Sequence, residues 1–253
     1  MRREVPHHLI DVVLPDYSFD TAEYCRRAAI ASDEILSRGK IPMFVGGTGL
    51  YVDSFFKGLS PVPDIDPDVR VRLERECTKR GLESLYAELL SVDSESAARV
   101  HPNDRQRVLR ALQVFRGTGR TLSQYRNRRI SRESGETCYI GVGCERKVLD
   151  HRIENRVDGM MDSGFLDEVE GLRVKGYDAR YNSMKSIGYF ELGQHLDGKY
   201  SLLEAVDRIK KETKEYAKKQ VTWFKRNRRI CWFDRDNMDG IVSCISEWLA
   251  ILR

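Results

Sequence analysis

Two different spacings of apolar residues divide the chain into predicted strands and helices. Short runs rich in β-branched and other apolar residues favour strands, and they occur at His8–Pro15, Ile41–Val45, Thr137–Gly143 and Cys231–Asp234. Apolar residues three or four positions apart mark one helix face and predict helices at Thr21–Ser37, Tyr51–Phe56, Arg146–Asp162, Leu166–Lys175, Tyr189–His195, Leu202–Arg226 and Ile241–Leu252. Strands that alternate with helices indicate an α/β core with parallel strands.

The middle of the chain shows only the helical spacing. The segment LSPVPDIDPD, from Leu59 to Asp68, holds three of the seven prolines, which indicates a hinge or boundary. After it, helices are predicted at Asp68–Gly81, Leu82–Ser91, Ser94–Val100 and Asp104–Arg116. We therefore expect an all-helical insertion at residues 62–132, between two parts of the α/β core at 1–61 and 133–253.

Composition narrows the class of protein. The 253 residues are 41% hydrophobic and 32% charged with mixed sign, which suits a folded chain, and the net charge of +4 alone indicates no nucleic-acid partner. The six cysteines form no CxxC pair and have no histidine at zinc-like spacing, so we expect reduced thiols in a cytoplasmic protein. No signal peptide and no apolar run of about 18 residues occurs, so we expect no membrane span. A monomer is expected.

Three basic segments are candidates for contact with a polyanion. In the segment His101–Gly119, five polar side chains fall off the apolar stripe of the predicted helix: Arg105, Gln106, Arg107, Arg110 and Arg116. Arginines near a helix N-terminus are not stabilised by the helix dipole. The segment Gly119–Ser134 adds five arginines around Tyr125, and Arg208–Arg229 carries ten Lys or Arg against two Glu. For each segment, nucleic-acid contact and a solvated basic face remain open interpretations.

A glycine-rich turn, VGGTGLY from Val45 to Tyr51, stands between a predicted strand and a predicted helix. Such turns often hold phosphates, or they let the backbone turn at the carboxyl end of a strand, where α/β sheets place ligands. The chain contains no GxxxxGK[ST] loop, no nucleophile–base pattern and no metal-ligand spacing. The role of this turn therefore stays open from the residues alone.

Six segments, taken in order, carry a resemblance to a known family. They are VPHHLID (Val5–Asp11), GKIPMFVGGTGLYVDSFFKGLSP (Gly39–Pro61), HPNDRQRVLRALQVFRGTGRTLS (His101–Ser123), RIENRVDGMMDSGFLDEV (Arg152–Val169), MKSIGYFEL (Met184–Leu192) and TKEYAKKQVTWFKR (Thr213–Arg226). Together they resemble the tRNA dimethylallyltransferases, also called tRNA isopentenyltransferases. The resemblance implies a P-loop-kinase-like α/β core with a helical insertion that embraces the anticodon stem-loop. It also implies transfer of a dimethylallyl group from dimethylallyl diphosphate to N6 of the adenosine adjacent to the anticodon in tRNA.

The resemblance further implies roles for individual residues. Thr48, in the glycine turn, is placed against the target adenosine and the reaction channel, and is both a catalytic and a tRNA-binding candidate. Arg156 is similar in position to a diphosphate-facing arginine. The other implied tRNA-binding residues are Arg70, Gln106, Arg107, Val108, Leu109, Arg110, Lys185, Gly188, Tyr189, Lys218, Lys219, Gln220, Thr222, Trp223 and Lys225. Lys185 and Lys219 stand where the family often has arginine, and lysine lacks the planar fork of arginine.

Two family motifs do not occur in the sequence: a GPTxSGKS loop that grips the diphosphate, and a DSxQ segment with the expected general-base aspartate. We therefore expect an N-terminally truncated form with little transferase activity of its own. Mg²⁺ is expected with the diphosphate, its main protein ligands lying in the N-terminal segment. The implied partners are the tRNA anticodon stem-loop and dimethylallyl diphosphate. The alternatives are a non-catalytic tRNA- or RNA-binding protein derived from the family, and a small-molecule nucleotide kinase.

Overall fold

A computed structural model describes residues 5–126, 131 and 137–252. Packing separates the chain into two compact units. We call Met1–Val52 with Ser134–Arg253 the core unit, and Asp53–Glu133 the helical unit. The limits of the insertion at 62 and 132, taken from the sequence, stay a prediction. None of the described helices is both long and apolar enough to cross a membrane.

The described residues form twelve α-helices and two β-strands. The helices are α1 (Thr21–Ser37), α2 (Gly49–Lys57), α3 (Pro67–Arg80), α4 (Leu82–Val92), α5 (Ser94–Ala97), α6 (Arg105–Thr118), α7 (Leu122–Arg126), α8 (Arg146–Asp162), α9 (Phe165–Val174), α10 (Tyr189–Leu196), α11 (Leu202–Phe224) and α12 (Met238–Ile251). The strands are β1 (Tyr139–Gly143) and β2 (Ile230–Asp234), and a short 3-10 turn covers Ser183–Lys185.

The core unit contains a two-stranded parallel sheet and a layer of helices. β1 pairs with β2 from Tyr139 opposite Ile230 to Gly143 opposite Asp234, and α8 to α11 form the crossover that parallel strands require. These four helices enclose an apolar cluster whose buried members are Val157, Phe165, Val169, Met184, Leu192, Ala205 and Ile209. A capping box between Ser201 and Glu204 starts α11. The long helix that carries the third basic segment is therefore fixed at its N-terminus.

The helical unit packs α3, α4, α5 and α6 around its own core. Its buried members are Val69, Leu73, Cys77, Leu85, Leu89, Ala97, Val108, Leu109, Ala111 and Leu112. The buried carboxylate of Asp93 accepts hydrogen bonds from the N–H groups of Ser96 and Ser123, both at 3.1 Å. Burial acts to raise the pKa of Asp93, but these hydrogen bonds outweigh it and hold the pKa below its usual value. Asp93 thus ties the start of α5 to α7.

Most of the predicted elements are present. The helix predictions are confirmed to within three residues at each end, and Thr21–Ser37 and Arg146–Asp162 agree at both ends. The side chain of Asp20 caps α1 by accepting from the N–H of Glu23 at 2.9 Å. The last two predicted strands are confirmed as β1 and β2, while the short helix α7 was not predicted.

The two predicted N-terminal strands are wrong. Residues 8–15 form turns and bends, and Leu9 and Asp11 have φ angles of 61° and 55°, which lie outside the strand region. Residues 41–45 pair with no described strand, and Ile41 and Val45 expose 54% and 88% of their surface. A segment with high strand propensity forms a strand only where a neighbouring strand supplies hydrogen bonds and packing. The described fold is α/β, with mostly helices and a small parallel sheet.

Candidate nucleic-acid interface

The glycine turn places Thr48 at the start of α2. The carbonyl oxygen of Thr48 accepts hydrogen bonds from the N–H groups of Tyr51 at 2.9 Å and Val52 at 3.3 Å, as the residue before a helix does. The N–H of Gly49 donates to the carbonyl of Gly47 at 3.1 Å. Thr48 itself is exposed. The turn therefore presents a threonine at a helix N-terminus.

The same turn packs against the C-terminal half of α11. A Cβ added at Gly47 would lie 2.9 Å from Cδ of Gln220, and one at Gly49 would lie 2.6 Å from the indole Nε1 of Trp223. Cβ atoms do not approach other heavy atoms so closely, so both positions need glycine to let these side chains reach the backbone. The structure therefore brings together three of the predicted site residues, Thr48, Gln220 and Trp223.

Aromatic stacking anchors the first turn of α2 on α1. The ring of Tyr51 stacks on that of Tyr24, with centroids 4.5 Å apart and an interplanar angle of 19°, and Phe19 packs at a tilt on the same ring at 6.4 Å. Burial raises the pKa of both phenols, as expected for rings packed away from solvent. The position of Thr48 is thus supported from α1 as well as from α11.

The lysine stripe of α11 divides into two parts. Lys210 pairs with Asp158 at 2.6 Å and Lys214 with Glu154 at 2.5 Å, both across the contact with α8. Hydrogen bonding to Lys214 holds the pKa of Glu154 below its usual range. Sequence reasoning missed these acidic partners, although their i, i+4 spacing matches that of the two lysines. Lys218, one turn further, has no acidic partner in the part of the chain that the structure describes.

The remaining predicted residues of α11 and its C-cap lie at the surface. Lys218, Lys219, Thr222 and Lys225 are exposed. The hydroxyl of Thr222 donates to the carbonyl of Lys218 at 2.9 Å, within the same helix. Lys218, Lys219 and Lys225 are therefore exposed at the end of α11 that contacts the glycine turn, while exposed Arg208 and Lys211 lie nearer its start.

The turn before α10 faces inward more than the sequence indicated. Gly188 is buried with a φ of 97°, and a Cβ there would lie 2.7 Å from the ring of Phe165. The Tyr189 hydroxyl donates to Glu168 at 2.5 Å, and burial followed by this carboxylate raises the pKa of Tyr189 to about 12. Gly188 and the phenol of Tyr189 are thus committed to internal contacts. Lys185 is the exposed member of this group.

In the helical unit, α6 exposes three of its predicted residues and buries two. Gln106, Arg107 and Arg110 are exposed; Arg107 pairs with Asp104 at 3.1 Å and remains 65% exposed. Val108 and Leu109 are fully buried in the core. Their apolar side chains form the packing that holds α6 in place and are not presented to RNA. The part of Val108 and Leu109 in the predicted tRNA-binding segment is therefore to position its exposed neighbours.

Three further arginines of this unit form ion pairs with glutamates: Arg70, Arg105 and Arg116. Arg116 bonds Glu76 and Glu88 through paired contacts of 2.7–3.0 Å, and Arg105 pairs with Glu74. These ion pairs join α6 to α3 and α4, a role that the sequence did not indicate. Arg105 keeps 54% of its side chain exposed, so its contact with a polyanion stays a prediction. Arg70, a predicted tRNA-contacting residue, also pairs with Glu74, at 2.6 Å.

The predicted diphosphate contact, Arg156, is exposed on α8. It lies two residues from both Glu154 and Asp158, and therefore on the opposite side of the helix from these two residues, which pair with lysines of α11.

The second basic segment, residues 119–134, is described only in part: Arg128, Arg129 and Arg132 lie outside the described residues. The short helix α7 in that segment buries Tyr125, so this ring is not presented for stacking.

Sequence comparison places the chain among known proteins. A family model described as IPP transferase matches residues 1–227. A tRNA dimethylallyltransferase 2 of Geotalea uraniireducens is 44% identical over 235 residues, which is 92% of this chain and 76% of that protein. A tRNA dimethylallyltransferase of Syntrophobacter fumaroxidans is 44% identical over 245 residues, 96% of this chain and 72% of that protein.

Solved structures are similar as well. A tRNA isopentenylpyrophosphate transferase of Bacillus halodurans superposes with a TM-score of 0.66 at 36% identity, over 98% of this chain and 78% of that chain. A eukaryotic dimethylallyltransferase acting on tRNA superposes with a TM-score of 0.81 at 25% identity, over 100% of this chain and 67% of that chain.

Proposed function

Because the chain belongs to the IPP transferase family, we propose that it prenylates tRNA, transferring a dimethylallyl group from dimethylallyl diphosphate to N6 of the adenosine adjacent to the anticodon. The observation that carries this proposal is the extent of the family match, because residues 1–227 include every predicted site residue. The contact of the glycine turn with α11 supports it, since it gathers Thr48, Gln220 and Trp223 beside a basic helix end.

The proposed reaction replaces the C1–O bond of dimethylallyl diphosphate with a bond from C1 to N6 of the adenosine. The N6 lone pair forms a bond to C1 of the allyl group, while the C1–O bond breaks and the diphosphate leaves with the electron pair. N6 then loses a proton to a base. Adenine N6 is a weak nucleophile, so the reaction depends on positioning and on positive charge near the departing diphosphate. The target base must leave the stacked loop to reach such a site.

The proposed part of Thr48 in this reaction is positional. Its backbone is fixed by the hydrogen bonds that begin α2, and its flanking glycines are covered by Gln220 and Trp223. Its exposed side chain is therefore held at a defined place, where a hydroxyl can hydrogen-bond a base edge. The indole and the amide beside it are suited to a flipped base, which proteins recognise by stacking and edge contacts.

The exposed cations are proposed to bind the phosphate backbone of the anticodon stem-loop. They are Arg107, Arg110, Lys185, Lys218, Lys219 and Lys225. We further propose that the helical unit acts as the tRNA-binding insertion and that the core unit is P-loop-kinase-like. Helix is the only regular secondary structure among the described residues 53–126 and 131, and β1 pairs in parallel with β2; both observations support this assignment. The chain is proposed to act as a monomer.

We propose that Mg²⁺ binds with the diphosphate, where it would neutralise part of the negative charge. Among residues 5–126, 131 and 137–252, no group of three or more His, Cys, Asp or Glu side chains is placed to hold a metal ion. These residues do not fit a protein-held magnesium site, and no step is assigned to one. The exposed guanidinium of Arg156 is proposed as a contact for the diphosphate.

Replacing Arg107 and Arg110 by alanine tests the RNA-binding surface of α6. Each change should weaken binding of an anticodon stem-loop by roughly 1–3 kcal/mol, because a charge-assisted contact is lost. Filter-binding titrations measure this, with circular dichroism to show that the variants fold. Arg99→Ala is the matched control, since Arg99 is exposed in the same unit and pairs with Glu95 at 3.0 Å. Unchanged affinity of the folded double variant would remove α6 from the site.

A second candidate function is RNA binding without transfer. It is favoured by one observation, that the 253 residues contain no GxxxxGK[ST] loop. We expect the 253-residue polypeptide, assayed alone with anticodon stem-loop RNA and dimethylallyl diphosphate, to bind the RNA with little or no prenylation, because it contains neither the GPTxSGKS loop nor the DSxQ segment. A second turnover assay, on the same polypeptide joined to a relative's segment that carries both motifs, separates the two candidates, because only the first predicts prenylation there. Multiple-turnover prenylation by the polypeptide alone would exclude the second candidate and show that the residues of this chain are sufficient for catalysis.

A further inference from the structure

Three of the six cysteines come together at one face of the sheet in the core unit. Cys138 directly precedes β1, and Cys231 lies in β2. In the parallel register Ile140 is opposite Cys231. Side chains two positions apart along an extended strand share a face, so Cys138 lies on the same face as Ile140 and Cys231.

Cys244 of α12 connects the other two cysteines. Its side chain interacts with those of both Cys138 and Cys231. All three are free thiols, and the described residues offer no group that could hold a metal ion. Partial desolvation and the neighbouring Cys244 raise the pKa of Cys231, although its side chain is still exposed to solvent. Desolvation and Cys138 raise the pKa of Cys244, and a hydrogen bond with Cys231 partly offsets this rise.

We propose that Cys244 is the centre of a redox-sensitive site, at which it forms a disulfide with Cys231 or Cys138 in the presence of a small-molecule disulfide such as oxidised glutathione. The site is independent of the proposed transfer reaction. Its physical basis is that the Cys244 thiol on α12 interacts with the Cys231 thiol in β2 and with the Cys138 thiol directly before β1.

The oxidation proceeds by two exchange steps. The exposed Cys231 loses its proton to solvent, and its thiolate attacks one sulfur of the oxidant and displaces the other half as a thiolate. The Cys244 thiolate then attacks Sγ of Cys231, which forms the protein disulfide and releases the second half. Two cysteine thiols are oxidised, and one small-molecule disulfide is reduced to two thiols.

The third thiol, that of Cys138, allows the disulfide of Cys244 to change partners. The Cys138 thiolate can attack Sγ of Cys244 and release the Cys231 thiolate, so the disulfide moves without further oxidant. Either disulfide ties α12 to the sheet. This matters because α12 has no buried residue along its length, so its attachment otherwise depends on partly exposed contacts.

Peptide mapping under non-reducing conditions tests the proposal. The full chain is equilibrated with oxidised and reduced glutathione, quenched by alkylation in acid and digested. We expect two free thiols to be lost and a cross-linked peptide pair to contain Cys244 with Cys231 or Cys138. Cys144 supplies the matched control, because it directly follows β1 and is partly exposed like Cys244; Cys144→Ser should keep the disulfide.

Two variants keep the test decisive. Cys244→Ser should abolish the disulfide, and so should the double variant Cys138→Ser/Cys231→Ser, which leaves Cys244 without a partner. Oxidation should raise the thermal midpoint of the unchanged chain and leave that of Cys244→Ser unshifted. The proposal is overturned if no disulfide containing Cys244 forms at a glutathione ratio that oxidises dithiothreitol. It is equally overturned if folded Cys244→Ser loses the same two thiols.

Discussion

At the scale of single residues, the three glycines of the turn have different surroundings. Gly46 has open space where a Cβ would lie, Gly47 faces the amide of Gln220, and Gly49 faces the ring of Trp223. An amide at the end of a flexible side chain can rotate away, whereas a packed indole can move only with its neighbours. Gly49 is therefore the position in the turn where one added methyl group matters most.

Gly49→Ala should lower the free energy of unfolding by about 1–3 kcal/mol, because the added Cβ overpacks against the indole of Trp223. Urea denaturation followed by circular dichroism measures the change. Gly46→Ala makes the same chemical substitution three residues earlier in open space and should stay within about 0.5 kcal/mol of the unchanged chain. Equal effects of the two substitutions would contradict the packing of Trp223 on the turn.

Residue type predicted which positions are polar, but it did not predict their partners. Arg105, Arg107 and Arg116 lie off the apolar stripe, as expected, yet Arg105 and Arg116 bond acidic side chains of other helices. Those acidic residues are far away in sequence, and the match depends on how the helices pack. The resemblance to the family gave Val108 and Leu109 as tRNA-binding residues, but both are buried. For Val108, the apolar spacing of α6 had already indicated a buried position.

At the scale of elements, the helices were predictable and half of the strands were not. The ends of α1 follow from Asp20 as a cap and Gly39 as a stop, which are local signals. A strand needs a partner, and nothing within residues 8–15 or 41–45 specifies one. β1 and β2 formed as predicted because each completes the other.

The packing of α6 depends on one arginine. Arg116 bridges Glu76 of α3 and Glu88 of α4, and all three side chains remain between 24% and 35% exposed. Solvent weakens such pairs, but paired geometry with two carboxylates strengthens them. Arg116→Gln should therefore lower the free energy of unfolding by about 1 kcal/mol near neutral pH, measured by urea denaturation.

The pH dependence of that effect has a defined sign. Hydrogen bonding to Arg116 holds the pKa of Glu76 below its usual value, so the stabilisation is present above the pKa of an unfolded glutamate, about 4.3. It is lost as pH falls through the lowered pKa of the folded state. The difference between the unchanged chain and Arg116→Gln should shrink on acidification. Arg99→Gln, which breaks an exposed i, i+4 pair, should show almost no difference at any pH, and a similar response would contradict the bridging role of Arg116.

At the scale of the whole molecule, the net charge of +4 does not show which basic residues form ion pairs and which do not. The 43 basic and 39 acidic residues nearly balance, and many are paired inside the units, as Lys210 and Lys214 are with α8. Cations without such partners, including Lys218, remain for a polyanion. Composition therefore gave no indication of the proposed RNA binding, whereas the local excess in Arg208–Arg229 did.

The salt dependence of RNA binding should report this difference. Lys218→Gln should reduce the slope of log affinity against log salt concentration by about 0.7, as for one lost contact with a single-stranded phosphate. Lys210→Gln removes the same charge from the same stripe, but Lys210 pairs with Asp158 at 2.6 Å, so the slope should change little. Titrations at several salt concentrations measure both, and identical slopes for the two variants would remove Lys218 from the RNA contact.

The two ion pairs between α11 and α8 also make the compensation of charge uneven along α11. Charge is partly compensated along its first half and uncompensated towards Trp223, where Lys218, Lys219 and Lys225 follow one another. In the proposed complex, this uneven charge would steer an approaching polyanion towards the Trp223 end of the helix and orient it before any short-range contact forms. Speed of capture would then depend on ionic strength, while the lifetime of the complex would depend on the uncharged groups at that end.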